Sequence, residues 1–312
     1  MILALNLNCS LDKIYTVAAL PHGGVARALS TENTAGSKGL HVANVCSRLG
    51  EEYLVTGFLG GHIGAMIMEI LSKKGIHQDF VTIQGETRSC INIGTPDGRQ
   101  TEVLEAGPVV SPVEMEAFRT KYRMLLSSVN VVVGSGSLPQ GVPHTFYAEL
   151  ISLARKAGKH FLLDTSGTTL MDSLPAQPFF IKPNRDEIEM LTGHKISTPE
   201  DAVRELRSFM ENGVAFPVIS LGADGSVAGW KGRVYRIRLP RLNVINAVGS
   251  GDSFVAGIAI GLCRGYDVEE MLRFASACGA ANVLEKESGM VSPQNVERIF
   301  AQTCVEVLES IA

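Results

Sequence analysis

The sequence predicts an α/β fold: a mainly parallel central sheet flanked by helices, carrying a small β-sheet lid. Three observations predict it. Short apolar stretches of strand length alternate with segments of helical periodicity, the pattern of βαβ units. Glycine recurs with a polar group just after those stretches, where an α/β sheet binds ligands. Two segments, 12–34 and 87–107, break the alternation and read as antiparallel strands outside the main sheet.

The elements follow in order. Ile2 to Leu7 reads as a strand, and Lys38 to Leu49 places apolar residues at helical spacing before Gly50 ends the pattern. Tyr53–Phe58, Val131–Val133, Phe161–Leu163 and Val218–Ile219 read as continuous buried strands, of the kind covered on both faces. Helices near 63–74, 112–128, 145–157 and 199–212 separate them, and the region from Ser253 to Cys263 and from Val268 to Leu284 reads as mainly helical. Pro21-His22-Gly23-Gly24 and Pro96-Asp97-Gly98 mark turns within the two exceptional segments. No repeat or linker divides the chain, so one large domain spanning 1–312 with a discontinuous lid is expected.

Composition narrows the class. With 312 residues, 45% hydrophobic and 19% charged, the chain can bury a large core. A formal charge of −4 without a basic run lacks the footprint that nucleic acid or an anionic membrane would need. The six cysteines show no CxxC pair or zinc spacing, and no basic leader or long apolar span is present. A cytoplasmic protein acting on a small molecule is expected.

The chemistry starts at Asn246 to Phe254, where Gly249, Ser250, Gly251 and Asp252 stand between an apolar stretch and a helix of small residues. Glycines let backbone amides approach an anion, and the helix adds its positive end. Asp252 can then take a proton from a hydroxyl during phosphoryl transfer. The bland alternative is that Asp252 or Ser253 caps the helix, and the loop alone leaves the two readings even. Neither GxxxxGK[ST] nor GxGxxG occurs, which removes the usual turns of Walker-type NTPases and dinucleotide-binding enzymes.

Asn184 and Glu187 stand three apart at a helix start, where they can hold Mg²⁺ or its waters. They also match a capping box, the more ordinary role. Arg27, Lys38 and Arg88 fall in the lid or the first glycine loop and suit a phosphate dianion on a substrate. Arg27 alone reads as solvated charge; Lys38, flanked by Gly36 and Gly39, does not. Asp12 can accept hydrogen bonds from sugar hydroxyls or simply solubilise an edge strand. Of seven histidines only His41 lies in a candidate site loop, where packing is its ordinary role.

Two signatures, Ala35-Gly36-Ser37-Lys38-Gly39-Leu40-His41-Val42-Ala43 and Asn246 to Phe254, resemble those of the PfkB family of ribokinase-like carbohydrate kinases, and the likeness runs to about Val291. Leu7 to Asp12, Thr87-Arg88, Gly134 to Pro139, Leu163 to Gly167 and Ile181 to Asn184 resemble its phosphosugar branch of tagatose-6-phosphate kinases and 1-phosphofructokinases. The resemblance implies a ribokinase-like fold and Mg²⁺-dependent transfer of the ATP γ-phosphoryl group to a ketohexose phosphate. Tagatose 6-phosphate is favoured through Thr34-Ala35-Gly36 and Thr87 to Ile91, ahead of fructose 1-phosphate and fructose 6-phosphate. It implies Asp252 as base, with Gly249, Ser250 and Gly251 as anion hole. Asp12, Gly36, Ser37, Lys38 and Arg88 would hold the sugar phosphate, with Arg27 and Ser137 added. Lys182, Asn184, Glu187, Ser220, Gly222, Gly225 and Asn282 would contact ATP or its metal shell, and a monovalent cation and a homodimer built through the lid are further implications. Three positions depart from the family pattern: Ser37 replaces Gly, His41 replaces Asn, and Cys9 replaces Pro.

Three rivals compete. A kinase for a neutral sugar or nucleoside would leave Lys38 and Arg88 as uncompensated cations in a closed pocket, which is costly. A non-catalytic sugar-phosphate sensor gains little from a base at Asp252. A nicotinamide oxidoreductase lacks its glycine fingerprint.

Overall fold

A computed structural model describes residues 1–310. In chain order the elements are β1 (Ile2–Asn6), β2 (Ser10–Val17), β3 (Ala28–Gly36), α1 (Lys38–Arg48), β4 (Tyr53–Gly60), α2 (Gly61–Lys73) and β5 (Val81–Ile83). Then come β6 (Arg88–Gly94), β7 (Gln100–Leu104), α3 (Pro112–Leu125), β8 (Val131–Ser135), α4 (Phe146–Lys156), β9 (His160–Asp164), α5 (Gly167–Ser173), β10 (Phe180–Ile181) and α6 (Arg185–Thr192). The chain continues with α7 (Pro199–Glu211), β11 (Phe216–Ser220), β12 (Ser226–Trp230), β13 (Arg233–Arg238), α8 (Ser250–Arg264), α9 (Val268–Asn282), α10 (Pro293–Gln302) and β14 (Cys304–Ser310).

Ten strands form one sheet in the order β14-β13-β12-β11-β10-β9-β8-β1-β4-β5. From β5 to β11 every pairing is parallel; β12, β13 and β14 are added antiparallel. Alternation of side chains along a strand decides what covers each face. Ile2 and Ala4 of β1 join a core cluster with α1, α2, α8, α9 and α10, while Leu3 and Leu5 join one with α3, α4, α6 and α7. The continuous apolar strands are therefore central, with helices on both faces. The antiparallel edge is absent from the sequence expectation, because no helix separates β12 from β13 and because β13 and β14 mix charge with apolar residues.

Strand order sets the position of the site. From β1 the chain steps outward to β4 and β5, and later returns to the other side of β1 with β8, β9, β10 and β11. Order reverses at β1, and an open α/β sheet binds its ligand at such a point, beyond the carboxyl ends of the strands.

The second sheet has the order β3-β2-β6-β7. Each of the two exceptional segments does pair antiparallel within itself, β2 with β3 and β6 with β7, but β2 and β6 run parallel. The register sets Ser10 opposite both Gly36 and Arg88, so residues distant in sequence meet on adjacent lid strands.

Candidate active site

Two neighbouring cavities of about 780 and 790 Å³ open along the carboxyl edge of the sheet. The first lies under the lid and is lined by Asp12, Ser37, Lys38, His41, Arg88 and Asp252 among others. Ser220, Gly222, Gly225, the segment Leu239–Val244, Phe254, Ala280 and Val283 line the second. Lys182, Asn184 and Gly251 border both, so the cavities meet at the start of α8.

That junction is built by backbone conformation. Gly249 adopts φ +84° as the residue before α8, and a Cβ there would come within 2.5 Å of the Gly289 nitrogen. Only glycine meets both demands at low cost. The amides of Gly251 and Asp252 fall in the first helical turn, where an α-helix offers them no carbonyl, and they remain available to an anion. A Cβ on Gly251 would stand 3.1 Å from the Lys182 Nζ, so that ammonium lies beside the same opening.

Asn282 acts from behind. It is fully buried, its Nδ2 donates to the Val248 carbonyl at 2.9 Å, and its Oδ1 accepts from the Gly289 amide at 2.8 Å and from Ser253 Oγ at 3.1 Å. It lines neither cavity and holds the anion-binding turn in shape, where the resemblance implied a contact to ATP or its metal shell.

Asp252 is buried, and its Oδ2 is 2.6 Å from His41 Nδ1. Asp164, at the end of β9, makes an ion pair of 3.0 Å with Lys38. Burial works to raise the Asp164 pKa; the charges of Lys38 and Lys182, the Lys38 hydrogen bond and the Asp252 side chain together hold it below the usual carboxylate range. The Asp164 charge in turn holds the Lys38 ammonium above its ordinary pKa, against the effect of burial. This corrects one expectation: Lys38 is not an uncompensated cation. Arg88 differs, since its guanidinium donates to the Asn8 carbonyl at 3.0 Å and the Glu105 carbonyl at 2.8 Å and forms no ion pair among the described residues. Arg88 thus brings to the lid cavity a positive charge that no carboxylate among the described residues neutralises by direct contact.

Asp12 enters the first cavity through a gap that only glycine leaves. A Cβ on Gly36 would lie 1.9 Å from Asp12 Oδ2. Ser10 Oγ donates to Asp12 Oδ1 at 2.6 Å, and burial pushes the Asp12 pKa up. Ser37 precedes α1 with φ +90° and ψ 153°, a region that side chains other than glycine rarely occupy. Its Oγ donates to the Asn8 carbonyl at 3.0 Å and lies 3.2 Å from Ser10 Oγ, contacts that hold the strained conformation. Cys9 is core, with its thiol 3.1 Å from Asn6 Nδ2, and takes no part in the cavity lining.

Asn184 and Glu187 form the capping box of α6: Asn184 Oδ1 accepts from the Glu187 amide at 2.8 Å, and Glu187 Oε2 accepts from the Asn184 amide at 2.9 Å. Both also line the first cavity. One further carboxylate oxygen of Glu187 remains for a metal or its waters. That fits Mg²⁺, which keeps several waters and takes phosphate oxygens. Among the described residues no cluster of three His, Cys, Asp or Glu forms an all-protein metal cage.

Two expected residues stand apart. Arg27 is exposed between β2 and β3, and Ser137 is exposed and accepts from Asn8 Nδ2 at 3.1 Å; neither lines a cavity. Asp164 is the main residue left unassigned by the sequence reading. Its signal was present, since it opens one of the glycine-bearing loops at a strand end, but its partner Lys38 is remote in sequence.

A model of the pfkB family carbohydrate kinases matches residues 5–295. The chain belongs to the PfkB family of carbohydrate kinases. A tagatose-6-phosphate kinase of Staphylococcus epidermidis is 39% identical, over 99% of this chain and 100% of that protein. A Thermotoga maritima structure described as a possible 1-phosphofructokinase superposes with TM-score 0.89 at 28% identity, covering 99% of each chain. Escherichia coli phosphofructokinase-2 in complex with potassium gives TM-score 0.89 at 26% identity, covering 96% of this chain and 98% of that one. The fold is thus ribokinase-like, and this PfkB member is a phosphotransferase acting on a hydroxyl acceptor. Among the described residues, no helix is long and apolar enough to cross a membrane.

Proposed function

We propose that this protein transfers the γ-phosphoryl group of ATP to tagatose 6-phosphate, giving tagatose 1,6-bisphosphate. The observation that carries the reading is the meeting of the two cavities at the amides of α8, with the Asp252 carboxyl buried at the junction. Asp12, Ser37 and Arg88 would hold the sugar phosphate in the lid cavity. The apolar walls Leu242, Val244 and Ala280 suit a nucleobase, and Gly222 leaves backbone exposed to its ribose and phosphates, with Gly225 lining the same cavity. As the acceptor oxygen bonds to the γ-phosphorus, its proton passes to Asp252, and the electron pair of the broken P–O bond leaves with ADP. The Gly251 and Asp252 amides, with Lys182, stabilise charge on the migrating group. Mg²⁺, held by the nucleotide phosphates and by Glu187 with Asn184, would supply further charge neutralisation.

The S. epidermidis relative supports tagatose 6-phosphate; the T. maritima neighbour supports fructose 1-phosphate as the second choice, followed by fructose 6-phosphate. A panel of these sugars with ATP, Mg²⁺ and potassium or sodium, read as kcat/KM, decides among them. Turnover of none of them would overturn the kinase reading in favour of a sugar-phosphate sensor. Omitting potassium tests the monovalent cation suggested by the potassium-bound neighbour. The six thiols, all free, suit a reducing cytoplasm. We further infer a homodimer joined through the lid, supported by the exposed apolar residues Val25, Leu29 and Val103 on or beside it.

A further inference from the structure

We propose that His41 is a positioning residue for phosphoryl transfer: its Nδ1 holds Oδ2 of Asp252, leaves Oδ1 to the acceptor hydroxyl, and makes the strength of that base depend on the protonation of the imidazole. The inference rests on the kinase reading. It begins with the 2.6 Å contact between two side chains that are 13% and 7% exposed. The ring is walled in, since a Cβ on Gly289 would lie 2.5 Å from His41 Cβ. His41 also sits in the first turn of α1, its amide bonded to the Ser37 carbonyl at 3.3 Å. The imidazole therefore has a fixed place from which to hold the carboxylate, which in turn stands at the cavity junction.

Both protonation states preserve the contact and change its meaning. A neutral ring with hydrogen on Nδ1 donates to Oδ2 and leaves the carboxylate as the stronger base. A doubly protonated ring makes the same bond but adds a full positive charge, which stabilises ionised Asp252 and weakens its pull on the hydroxyl proton. During transfer the O–H bond breaks, its proton moves to Oδ1, and the imidazole neither gains nor loses one.

Every charge facing the ring enters this balance. Burial disfavours the imidazolium; the hydrogen bond and charge of Asp252 on α8 favour it, as does Asp12 on β2, while Lys38 on the same helix opposes it. Arg88 on β6, Glu32 on β3, Glu102 on β7, Lys182 after β10, Glu187 on α6, and Lys286 and Glu287 beyond α9 line the same cavity, and Glu287 is paired with Lys74. The net effect places the His41 pKa above its ordinary value.

The test compares wild type with His41→Asn. Asparagine keeps a donor for Asp252 and cannot titrate, and its smaller side chain fits beneath Gly289. With tagatose 6-phosphate and ATP, kcat/KM is followed from about pH 5.5 to 9. At about pH 6, wild type should fall at least about threefold further below its own plateau than the variant does, because most of its His41 is then charged. The substrate's own phosphate titration is common to both profiles and cancels. Profiles that superimpose after scaling would overturn the proposal while leaving the kinase reading intact. A second measurement needs no turnover: the His41 imidazole titrated by NMR should show a pKa above about 6.5 in wild type and a lower one in Asp252→Asn. If wild type phosphorylates no sugar but the NMR shift is found, the kinase reading fails and the coupling stands. An unshifted imidazole sinks the coupling whatever the kinetics.

Discussion

At Asp252 two requirements conflict, since a carboxylate at a helix start is favoured as an ion and yet must accept a proton. A loose phosphoryl-transfer transition state lets the proton leave late, so position matters more than basicity. Asp252→Asn should then lower kcat by about 10²- to 10⁴-fold while ATP affinity, measured by calorimetry, changes little. His41 gives a second expectation with opposite signs for stability and activity. Its folded pKa is raised, so the stability it contributes is full below its unfolded pKa of about 6.5 and is lost as pH rises through the folded value. Thermal melts should show wild type losing its advantage over His41→Asn as pH rises above about 6.5, while its turnover increases. Ser37, by contrast, carries strain at φ +90°. Ser37→Ala keeps the strain and loses the hydroxyl contacts, whereas Ser37→Gly loses both. Denaturant melts should place the alanine variant about 1–3 kcal/mol below the glycine one. Asp252 and Lys38 were readable because glycines and helix starts surround them, and Arg88 because its segment breaks the strand-helix alternation. The Lys38–Asp164 pair and the His41–Asp252 contact were not, since each joins residues more than a hundred positions apart that only the sheet order brings together.

The start of α8 is held by α9 and the loop that follows it, through one amide side chain. Asn282 serves the Val248 carbonyl, the Gly289 amide and Ser253 Oγ together, the last two in buried surroundings. Asn282→Ala should leave those groups unpaired, cost about 2–4 kcal/mol in stability, and reduce kcat by loosening the anion-binding amides. Unchanged kcat with lowered stability would mean that the turn keeps its shape without this support. Elements with a single strong pattern were plain in the sequence: β1, β4, β8 and β9 as mostly apolar runs, α1 and α7 as amphipathic helices. The strands β12 to β14 were not: no helix separates β12 from β13, which follow one another across Lys231-Gly232, and β13 and β14 interleave charge with apolar residues, so the βαβ pattern does not mark them. Asn184 with Glu187 shows the same limit on a smaller scale. The sequence allowed a capping box or a metal contact, and the geometry has the first while leaving room for the second.

At the scale of the molecule the lid poses the remaining physical problem. A sheet of four strands covers a polar cavity with part of its surface, yet Leu29 is 67% exposed and Val103 is 53% exposed, and neither lines the cavity. Apolar side chains exposed on a small open sheet invite association, and twofold association is the commonest way to bury them. If two lids pack together, charge placed there should separate the subunits without unfolding either, since the core clusters flanking the ten-stranded sheet contain neither residue. Leu29→Lys combined with Val103→Lys should therefore convert a dimer to a monomer in light scattering at micromolar protein. The thermal midpoint of each subunit should be preserved once the concentration-dependent contribution of association is removed. A double variant that remains dimeric would exclude the lid as the joining surface, and a wild-type protein that is monomeric under the same conditions would exclude the dimer itself.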